Sequence, residues 1–325
     1  MINQFRNLNP INILFLAVYT LFMRIAIFLD LPETLTFDFL EPYTQFFLKL
    51  PESSFSPLVN IMLAAIIVFI QALWFNRIIN NHALMPKPTY IPALIYITGS
   101  SLFLQFLVLS PPLICNFLVL LVIDKFLKLA KMPSAMGLMF DVGMIIAIGT
   151  LIYFPFIVLF AMLWLSLLLY RPFNWREWLS GIIGFLTIFF FIAVFYYLND
   201  SLNRFLAIWQ PLTNKFPTSL QINYKDYLVL IPVSIIIIMA ALQLRENFFR
   251  SFISTRKAFQ MLFFMFLVSL ISFYTKPGVT VSHFILCVPT GSVLIAYYFV
   301  SAQRRWIYES LFAILIICIQ YFLFV

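Results

Sequence analysis

The sequence predicts an all-α polytopic membrane protein, and two observations carry this prediction. Hydrophobic residues make up 63% of the 325 residues, charged residues only 10%, and the mean hydropathy is +1.02. Apolar runs recur from residue 11 to the end of the chain, and many reach the roughly 20 residues that a helix needs to cross a bilayer. Because a water-soluble domain of this length carries far more charge, the chain is expected in lipid.

The spanning elements are predicted to be helices. A transmembrane barrel would show segments of about ten residues in which apolar and polar side chains alternate. Residues 58–75, 179–198 and 279–300 are instead apolar on every side, which is typical of helices that satisfy their own backbone groups in lipid. We therefore expect one membrane domain over residues 1–325. Its eleven spans lie at about 11–29, 58–75, 90–109, 113–126, 138–153, 156–169, 179–198, 228–244, 258–274, 279–300 and 307–325.

The distribution of Lys and Arg predicts the orientation of these spans. With the N-terminus in the cytoplasm, the inner links carry 14 basic residues against 4 acids, and the outer links carry 5 against 7. Cytoplasmic links are enriched in Lys and Arg, so the asymmetry favours a cytoplasmic N-terminus and a periplasmic C-terminus in a bacterial inner membrane. The same rule accounts for the net charge of +8 without a nucleic-acid partner.

One apolar stretch, residues 138–169, is too long for an ordinary span, at 32 residues and about 48 Å as a helix. Two shorter helices that turn at residues 153–155 keep Lys131 and Arg171 on the same side of the membrane. Broken membrane helices are tolerated where protein or a water-filled cavity satisfies the freed backbone groups. The turn is therefore a place to look for a cavity, with a tilted hairpin that holds no site as the simpler alternative.

The two longest polar segments, residues 30–57 and 199–226, both fall outside in this topology. In the first, apolar side chains recur at helical spacing while Asp38 and Glu41 share the opposite face, which predicts an amphipathic helix at the interface. The second contains a similar apolar stripe that ends at Pro211. Neither segment is large enough to fold as a separate domain.

Four residues on the outer side are candidate functional groups. Arg24 lies inside the first span, where a charge is costly and suggests function; a side chain that extends to the headgroups or to Asp30 is the alternative. Asp38 and Glu41, spaced i, i+3, could hold a divalent cation or act as a general base, or could be a solvated helix face. Arg204, in the second outer loop, could bind a phosphate.

The remaining polar residues indicate structural roles. The chain has no Walker loop, dinucleotide-binding loop, zinc-protease helix or nucleophile elbow, and His82 and His283 are too far apart to predict a metal site, so no resident cofactor is expected. Asp141, placed near Lys128 and Lys131, predicts a structural ion pair, with a proton relay as the alternative. Polar side chains in or beside the spans predict interhelical hydrogen bonds; they are Asn60, Gln71, Asn76, Gln105 and Asn116.

Four segments carry a first resemblance. They read QALWFNRIINNHALMPKPTYIPALIY (71–96), LSPPLICNFLVLL (109–121), MFDVGMIIAIGTLIYFPF (139–156) and YRPFNWREW (170–178). Together they resemble an uncharacterised family of polytopic inner-membrane proteins from Bacteroidota. Some members carry the name of carotene-cleaving oxygenases, whose iron is held by four histidines. This chain has two histidines, so we do not expect that activity.

A second resemblance involves the first span and the loop after it. An Arg late in the first span, acids on an interfacial helix and many short-linked spans are similar to the GT-C class of integral-membrane glycosyltransferases. That resemblance implies a polyprenyl-phosphate-linked sugar as donor at the outer face. It also implies an acid of the first loop as base or metal ligand, matched here by Asp38 and Glu41, with Asp30 as a spare. The chain lacks the tight acidic pair and the large soluble C-terminal domain of that class. These differences are compatible with a GT-C-like scaffold that has lost catalysis.

Three functions are compatible with these features. The first is a GT-C-like transferase that acts on lipid-linked sugars. The second is a non-catalytic subunit of an envelope-assembly or secretion complex, partnered by another envelope protein and favoured by the lack of a sharp motif. The third is a transporter or lipid flippase, which the short helix pair favours and the missing internal repeat disfavours.

Overall fold

The computed structural model describes residues 1–31, 56–209, 229–248, 252–275 and 280–324. Within these ranges the regular structure is helical and contains no strand. The α-helices are α1 (Ile2–Phe5), α2 (Ile11–Phe22), α3 (Ile25–Leu29), α4 (Pro57–Asn81), α5 (Ile91–Gly99), α6 (Pro111–Lys128), α7 (Met136–Ile152), α8 (Ala161–Tyr170), α9 (Trp175–Leu198), α10 (Leu202–Ala207), α11 (Leu230–Phe248), α12 (Ile253–Ile271), α13 (Val288–Ser301) and α14 (Arg305–Phe324).

Six helical segments in the described part of the chain are long and apolar enough to cross a membrane. They are Pro57–Asn81, Trp175–Leu198, Leu230–Asn247, Ile253–Thr275, Val281–Ser301 and Arg305–Phe324. Shorter apolar segments accompany them at Ile11–Phe22, Met136–Ile152 and Phe154–Tyr170. The protein is thus an all-α membrane protein, and the count of eleven spans stays a prediction.

The long apolar stretch at 138–169 is divided as the sequence predicts. After α7, Tyr153 adopts an extended backbone (φ −148°, ψ 107°), and a 3-10 segment, Phe154–Phe160, leads into α8. The 3-10 segment packs directly on α7. The contact is so close that a Cβ added to Gly149 would lie 2.3 Å from the Phe156 ring. The chain therefore turns back on itself rather than continuing as one long helix.

Arg171 closes this hairpin at its other end. Its Nη1 donates to the carbonyl oxygen of Met132 at 3.0 Å, and its Nη2 donates to that of Pro133 at 2.7 Å. Met132 directly follows Lys131 in the chain. The prediction that the basic residues on either side of the hairpin share one end of the molecule is confirmed.

Helices α7 and α9 approach so closely that their contact requires glycine. A Cβ on Gly184 would lie 2.1 Å from the carbonyl oxygen of Phe140, and a Cβ on Gly143 would lie 2.1 Å from that of Gly181. Small residues at such contacts let helix backbones pack together in membranes, where van der Waals contact drives association. At Gly137, in the first turn of α7, an added Cβ would meet nothing within 4 Å.

The irregular segments gather at one end of the helices, which we call the broken end. They are the break between α2 and α3 at Met23–Arg24, the α5–α6 connection at 100–110, the α7–α8 turn, and the 3-10 segments Ser272–Thr275 and Val281–Cys287. Ile27, Ile61 and Leu107 form one buried cluster that joins the first two to α4. A hydrogen bond of 2.8 Å between Tyr153 and His283 joins the α7–α8 turn to the second 3-10 segment.

The opposite end, which we call the basic end, contains the links at 1–10, 82–90, 129–135, 171–174 and 302–304, together with the helix ends beside them. The Met1 ammonium group pairs with Glu309 at 2.9 Å, and the Tyr90 N–H donates to the carbonyl oxygen of Phe5 at 2.9 Å. These contacts tie the start of the chain to helices far along the sequence.

Most of the two predicted outer loops lies outside the described residues. The amphipathic helix expected within 30–57 falls there. In the second loop, the short helix α10 is present, and the Trp209 ring packs on Phe189 with centroids 4.8 Å apart. Part of the predicted apolar stripe thus packs against α9.

Candidate functional site

A cavity of about 460 Å³ lies at the broken end, between α5, α11, α12 and α13. Its walls are largely apolar and include several aromatic rings, and three hydroxyl side chains contribute polar atoms. The aromatic residues are Phe103, Phe106, Phe266, Phe273 and Phe284, and the hydroxyl residues are Thr98, Ser234 and Ser292. Such a lining suits a ligand that is mostly hydrocarbon.

The cavity exists because two helices beside it are short. Helix α5 stops at Gly99, and the chain continues to Ser110 with only one 3-10 turn. Helix α13 starts at Val288, after a 3-10 segment. Neither helix runs on past the cavity, so side chains from loops and 3-10 turns form its walls. Irregular backbone within a membrane is tolerated in such a place, where it lines a cavity or is buried in protein.

Buried amide side chains satisfy backbone groups near these irregular segments. The pairs are Asn60 Oδ1 with the Leu109 N–H (2.9 Å), Gln71 Nε2 with the Leu113 carbonyl (2.8 Å) and Asn116 Nδ2 with the Ile285 carbonyl (3.0 Å). The predicted interhelical role is therefore confirmed for these three residues. Gln71 also accepts a hydrogen bond from the Tyr96 hydroxyl at 2.8 Å, so the third span is tied to the second.

A buried chain of hydrogen bonds lies beside the cavity. Tyr153 Oη is 2.8 Å from His283 Nδ1, His283 Nε2 is 2.9 Å from Ser272 Oγ, and Ser272 Oγ is 2.6 Å from the Ser269 carbonyl oxygen. Ser272 has one hydroxyl hydrogen and directs it to that carbonyl, so we assign the hydrogen of neutral His283 to Nε2. Nδ1 then accepts the hydrogen of Tyr153.

The sequence gives little sign of this chain of hydrogen bonds. Tyr153 and His283 are 130 residues apart, and the sequence around 153–155 predicts a turn and a place for a cavity but no partner for Tyr153. The available signal is that each polar residue stands at the end of an apolar span. Phe273 and Phe284, the neighbours of Ser272 and His283, line the cavity, so the hydrogen bonds hold two of its walls together.

Arg24 is the predicted site residue that the structure places most clearly. It is 0% exposed and lies at the break between α2 and α3. Its Nη1 donates to the Thr20 carbonyl oxygen at 3.3 Å, and within the described part of the chain Nε and Nη2 have no hydrogen-bond partner. The alternative of a side chain that extends to the headgroups or to Asp30 is therefore wrong, because the group stays inside the protein.

An unpaired guanidinium is costly in such a place, because a buried charge loses its hydration and needs an opposite charge to compensate. Helix α2, which ends just before Arg24, lies against a wall of the cavity. The Tyr19 hydroxyl, five residues earlier, is 2.9 Å from Thr98 Oγ1, and Thr98 lines the cavity. The burial of Arg24 with two nitrogens that lack a partner among the described residues favours an anionic group next to its guanidinium.

The structure does not describe the side chains of the other three predicted site residues. Asp38 and Glu41 lie in the range 32–55, outside the described residues, and the side chain of Arg204 lies outside them too. The proposed arrangement of Arg24 with these three residues stays a prediction. Among the residues that the structure describes, no group of three or more His, Cys, Asp or Glu side chains could hold a metal ion.

Asp141 forms an ion pair, as predicted, but with a different lysine. Its carboxylate contacts the Lys125 ammonium group, because the end of α6 lies beside the start of α7. Lys128, one of the expected partners, instead pairs with Asp124.

The fold and the cavity define a class of protein: an all-helical membrane protein with an apolar cavity and a buried cation at one end. Residues 62–325 match a family described as a family of unknown function, DUF6427, and the chain belongs to that family. Searches of curated proteins and of solved structures found no match. The cavity and the His283 hydrogen bonds lie within the matched residues, whereas Arg24, Asp38 and Glu41 precede them.

Proposed function

We propose that this protein binds a long-chain lipid phosphate in the membrane and acts on its head group at the outer face, as a GT-C-like transferase of polyprenyl-phosphate-linked sugars. The observation that carries this proposal is the apolar cavity of about 460 Å³ at the broken end. Its volume falls in the range of about 300–1,000 Å³ that is usual for small-molecule sites. An isoprenoid chain matches its apolar lining.

The proposed topology supports an outer location for this site. The Lys- and Arg-rich links lie at the basic end, so the positive-inside rule predicts that this end faces the cytoplasm and that the broken end faces the periplasm. With eleven spans, both long polar loops fall on the periplasmic side. A lipid-linked sugar in the outer leaflet would then present its head group next to the cavity and the loops.

Arg24 supplies the second part of the proposal. A phosphate placed beside the cavity would give Nε and Nη2 charge-assisted hydrogen bonds, which are about twice as strong as neutral ones. The planar guanidinium group matches the geometry of phosphate oxygens. Arg204, from the second outer loop, is the proposed second phosphate ligand.

In this proposal, Asp38 and Glu41 carry the chemistry. One carboxylate takes the proton of the acceptor hydroxyl as its oxygen attacks the anomeric carbon of the sugar. The bond from that carbon to the phosphate oxygen breaks, and the polyprenyl phosphate leaves with the electron pair. Arg24 and Arg204 stabilise the negative charge that develops on the leaving group. The other carboxylate is free to hold a divalent cation.

A binding experiment tests the cavity. Ser234 is an exposed residue of α11 that lines the cavity, so S234W fills it. Ile238, one turn later, is exposed and is not part of the lining, so I238W is the matched control. We expect S234W to weaken the binding of a polyprenyl phosphate by about tenfold or more and I238W to leave it unchanged. Equal binding by both variants would contradict the cavity site.

A second experiment tests the phosphate and the chemistry separately. The unaltered chain should prefer the polyprenyl phosphate over the corresponding alcohol, and R24Q should lose most of this preference, with Arg204 supplying the remainder. D38N and E41Q should keep lipid binding and lose sugar transfer. If a D38N/E41Q double variant still binds lipid and fully complements loss of the unaltered protein, the proposed transferase activity is contradicted. A stoichiometric partner in mild detergent would then support the non-catalytic subunit.

A further inference from the structure

A second pocket, of about 410 Å³, opens at the basic end between α4 and α6. Its charged lining is formed by Arg77, His82, Lys128 and Lys131, with Asp124 as the acid among the described residues that line it. With His82 neutral, three cations face one carboxylate, which gives a formal charge of +2. The lining therefore favours an anionic ligand.

Asp124 fixes the position of two basic side chains in this pocket. Its Oδ1 is 3.0 Å from His82 Nε2, and its Oδ2 contacts the Lys128 ammonium group. The side chain of His82 is only 9% exposed, so this part forms the floor of the pocket. Arg77 and Lys131 are exposed, and in the described ranges of the chain neither forms an ion pair. Two cations without an ion-pair partner among the described residues therefore lie above a floor of hydrogen-bonded side chains.

The pocket lies at the depth where lipid phosphates are expected. It sits at the end of the membrane-spanning segment Pro57–Asn81, and Trp74, half-buried in the last part of that segment, forms one wall. Tryptophan is enriched at the level of the headgroups. Basic pockets between transmembrane helices on the cytoplasmic side are suited to phospholipid headgroups.

We propose that this pocket binds a phosphate group and that an anionic phospholipid of the cytoplasmic leaflet supplies it. Arg77 and Lys131 contact the phosphate oxygens from above, and Lys128, held by Asp124, contacts them from the side. This site is separate from the cavity at the broken end and does not depend on the proposed transferase. A soluble phosphate ester offers the same chemistry, so the experiment distinguishes the two sources.

The test uses the purified full chain in a neutral detergent and follows the thermal unfolding midpoint. The probes are phosphatidylglycerol, phosphatidylcholine as the zwitterionic control, and inorganic phosphate; a ligand that binds only the folded state raises the midpoint with its concentration. The pocket variant is R77Q/K131Q. The matched control is R304Q/R305Q, which removes the same charge from exposed residues at the same end that do not line the pocket.

We expect the apparent affinity for phosphatidylglycerol to fall about fivefold for each removed charge and about 25-fold in R77Q/K131Q. The control variant should keep its affinity, and phosphatidylcholine should bind weakly throughout. If inorganic phosphate stabilises the protein and R77Q/K131Q loses that effect, the phosphate site holds and its ligand is soluble. Equal weakening in both variants, no weakening in R77Q/K131Q, or no stabilisation by either phosphate probe would overturn the proposal.

Discussion

The two ends of the molecule differ in how their polar groups are used. At the basic end, several charged groups are paired and hold distant parts of the chain together, while Arg77 and Lys131 form no ion pair within the described ranges. Arg6 shows this best, since its Nη2 donates to the carbonyl oxygens of Phe299 and Ala302 at 2.7 and 2.6 Å. At the broken end, helices stop early, buried amides satisfy the backbone, and the Arg24 guanidinium keeps two nitrogens without a partner among the described residues.

This difference separates charged groups that hold the fold, such as Arg6, from groups that are available for binding, such as Arg24 at the broken end and Arg77 and Lys131 at the basic end. A group whose hydrogen bonds are satisfied within the protein has little to gain from a ligand. A buried cation with free donors and a cavity with apolar walls are features that cost stability unless something binds there. Proteins tolerate such local costs mainly at functional sites. The comparison therefore predicts that replacing the paired Arg6 and replacing the buried Arg24 have different effects on stability.

The largest effect on stability is expected where α7 and α9 pack together. G184L places a side chain where even a Cβ lies 2.1 Å from the backbone oxygen of Phe140, so the two helices have to separate. We expect a loss of about 3 kcal/mol or more, measured as a lower thermal unfolding midpoint in detergent. G137A is the control, because nothing lies within 4 Å of its added Cβ. A normal midpoint for G184L would contradict the close helix contact.

The second prediction compares the two arginines directly. R6M removes hydrogen bonds from a charged donor to two carbonyl oxygens, as well as the contact of Arg6 with the Tyr308 ring at 4.2 Å, so we expect a loss of about 2–3 kcal/mol. R24M removes a buried charge that lacks a full set of partners. Replacing a buried ion pair by apolar groups is often neutral or stabilising, and a buried charge without an opposite charge has even less to lose on replacement.

Chemical denaturation of the two variants in the same detergent measures this contrast, and lipid binding is measured in parallel. We expect R24M to be as stable as the unaltered chain or more stable, yet to lose the preference for a lipid phosphate. If R24M is destabilised as much as R6M, Arg24 has a structural role, and this result contradicts the proposed phosphate contact.

The third prediction concerns the hydrogen bonds beside the cavity. Y153F removes the donor to His283 Nδ1, and we expect a loss of about 1–2 kcal/mol, the usual result of removing one partner of a buried hydrogen bond. Y197F is the control, since Tyr197 is 70% exposed on α9. Thermal unfolding of both variants measures the difference. Equal midpoints would show that the His283 chain does not support the cavity walls.

The fold class could be predicted from the sequence because hydrophobicity and charge act locally. The apolar stretches, the turn at Tyr153 and the shared side of Lys131 and Arg171 follow from helix length and the placement of basic residues. The same reasoning predicts partners of Asp141, Lys128 and Lys131, that lie about one and two turns beyond the observed partner, Lys125. Which of several neighbouring lysines reaches a carboxylate depends on the rotation of two helices about their axes, and spacing alone does not determine that rotation.

The candidate site was less predictable, because its parts meet only in three dimensions. Arg24 stood out from the sequence, since a charge inside an apolar span is unusual. The cavity arises from where α5 ends and α13 begins, and apolar side chains inside a protein look the same in sequence as those that face lipid. The pairing of His283 with Tyr153 and Ser272 depends on how three separate irregular segments pack.

The smallest effect is expected from the exposed ion pair at the basic end. D141N removes the contact between Asp141 and Lys125, whose side chains are 42% and 28% exposed, respectively. Exposed pairs of this kind contribute about 1 kcal/mol or less and weaken with salt. We therefore expect a small drop in the unfolding midpoint at low ionic strength that disappears at high salt, with function unchanged. Loss of function without loss of stability would instead favour a proton relay through Asp141.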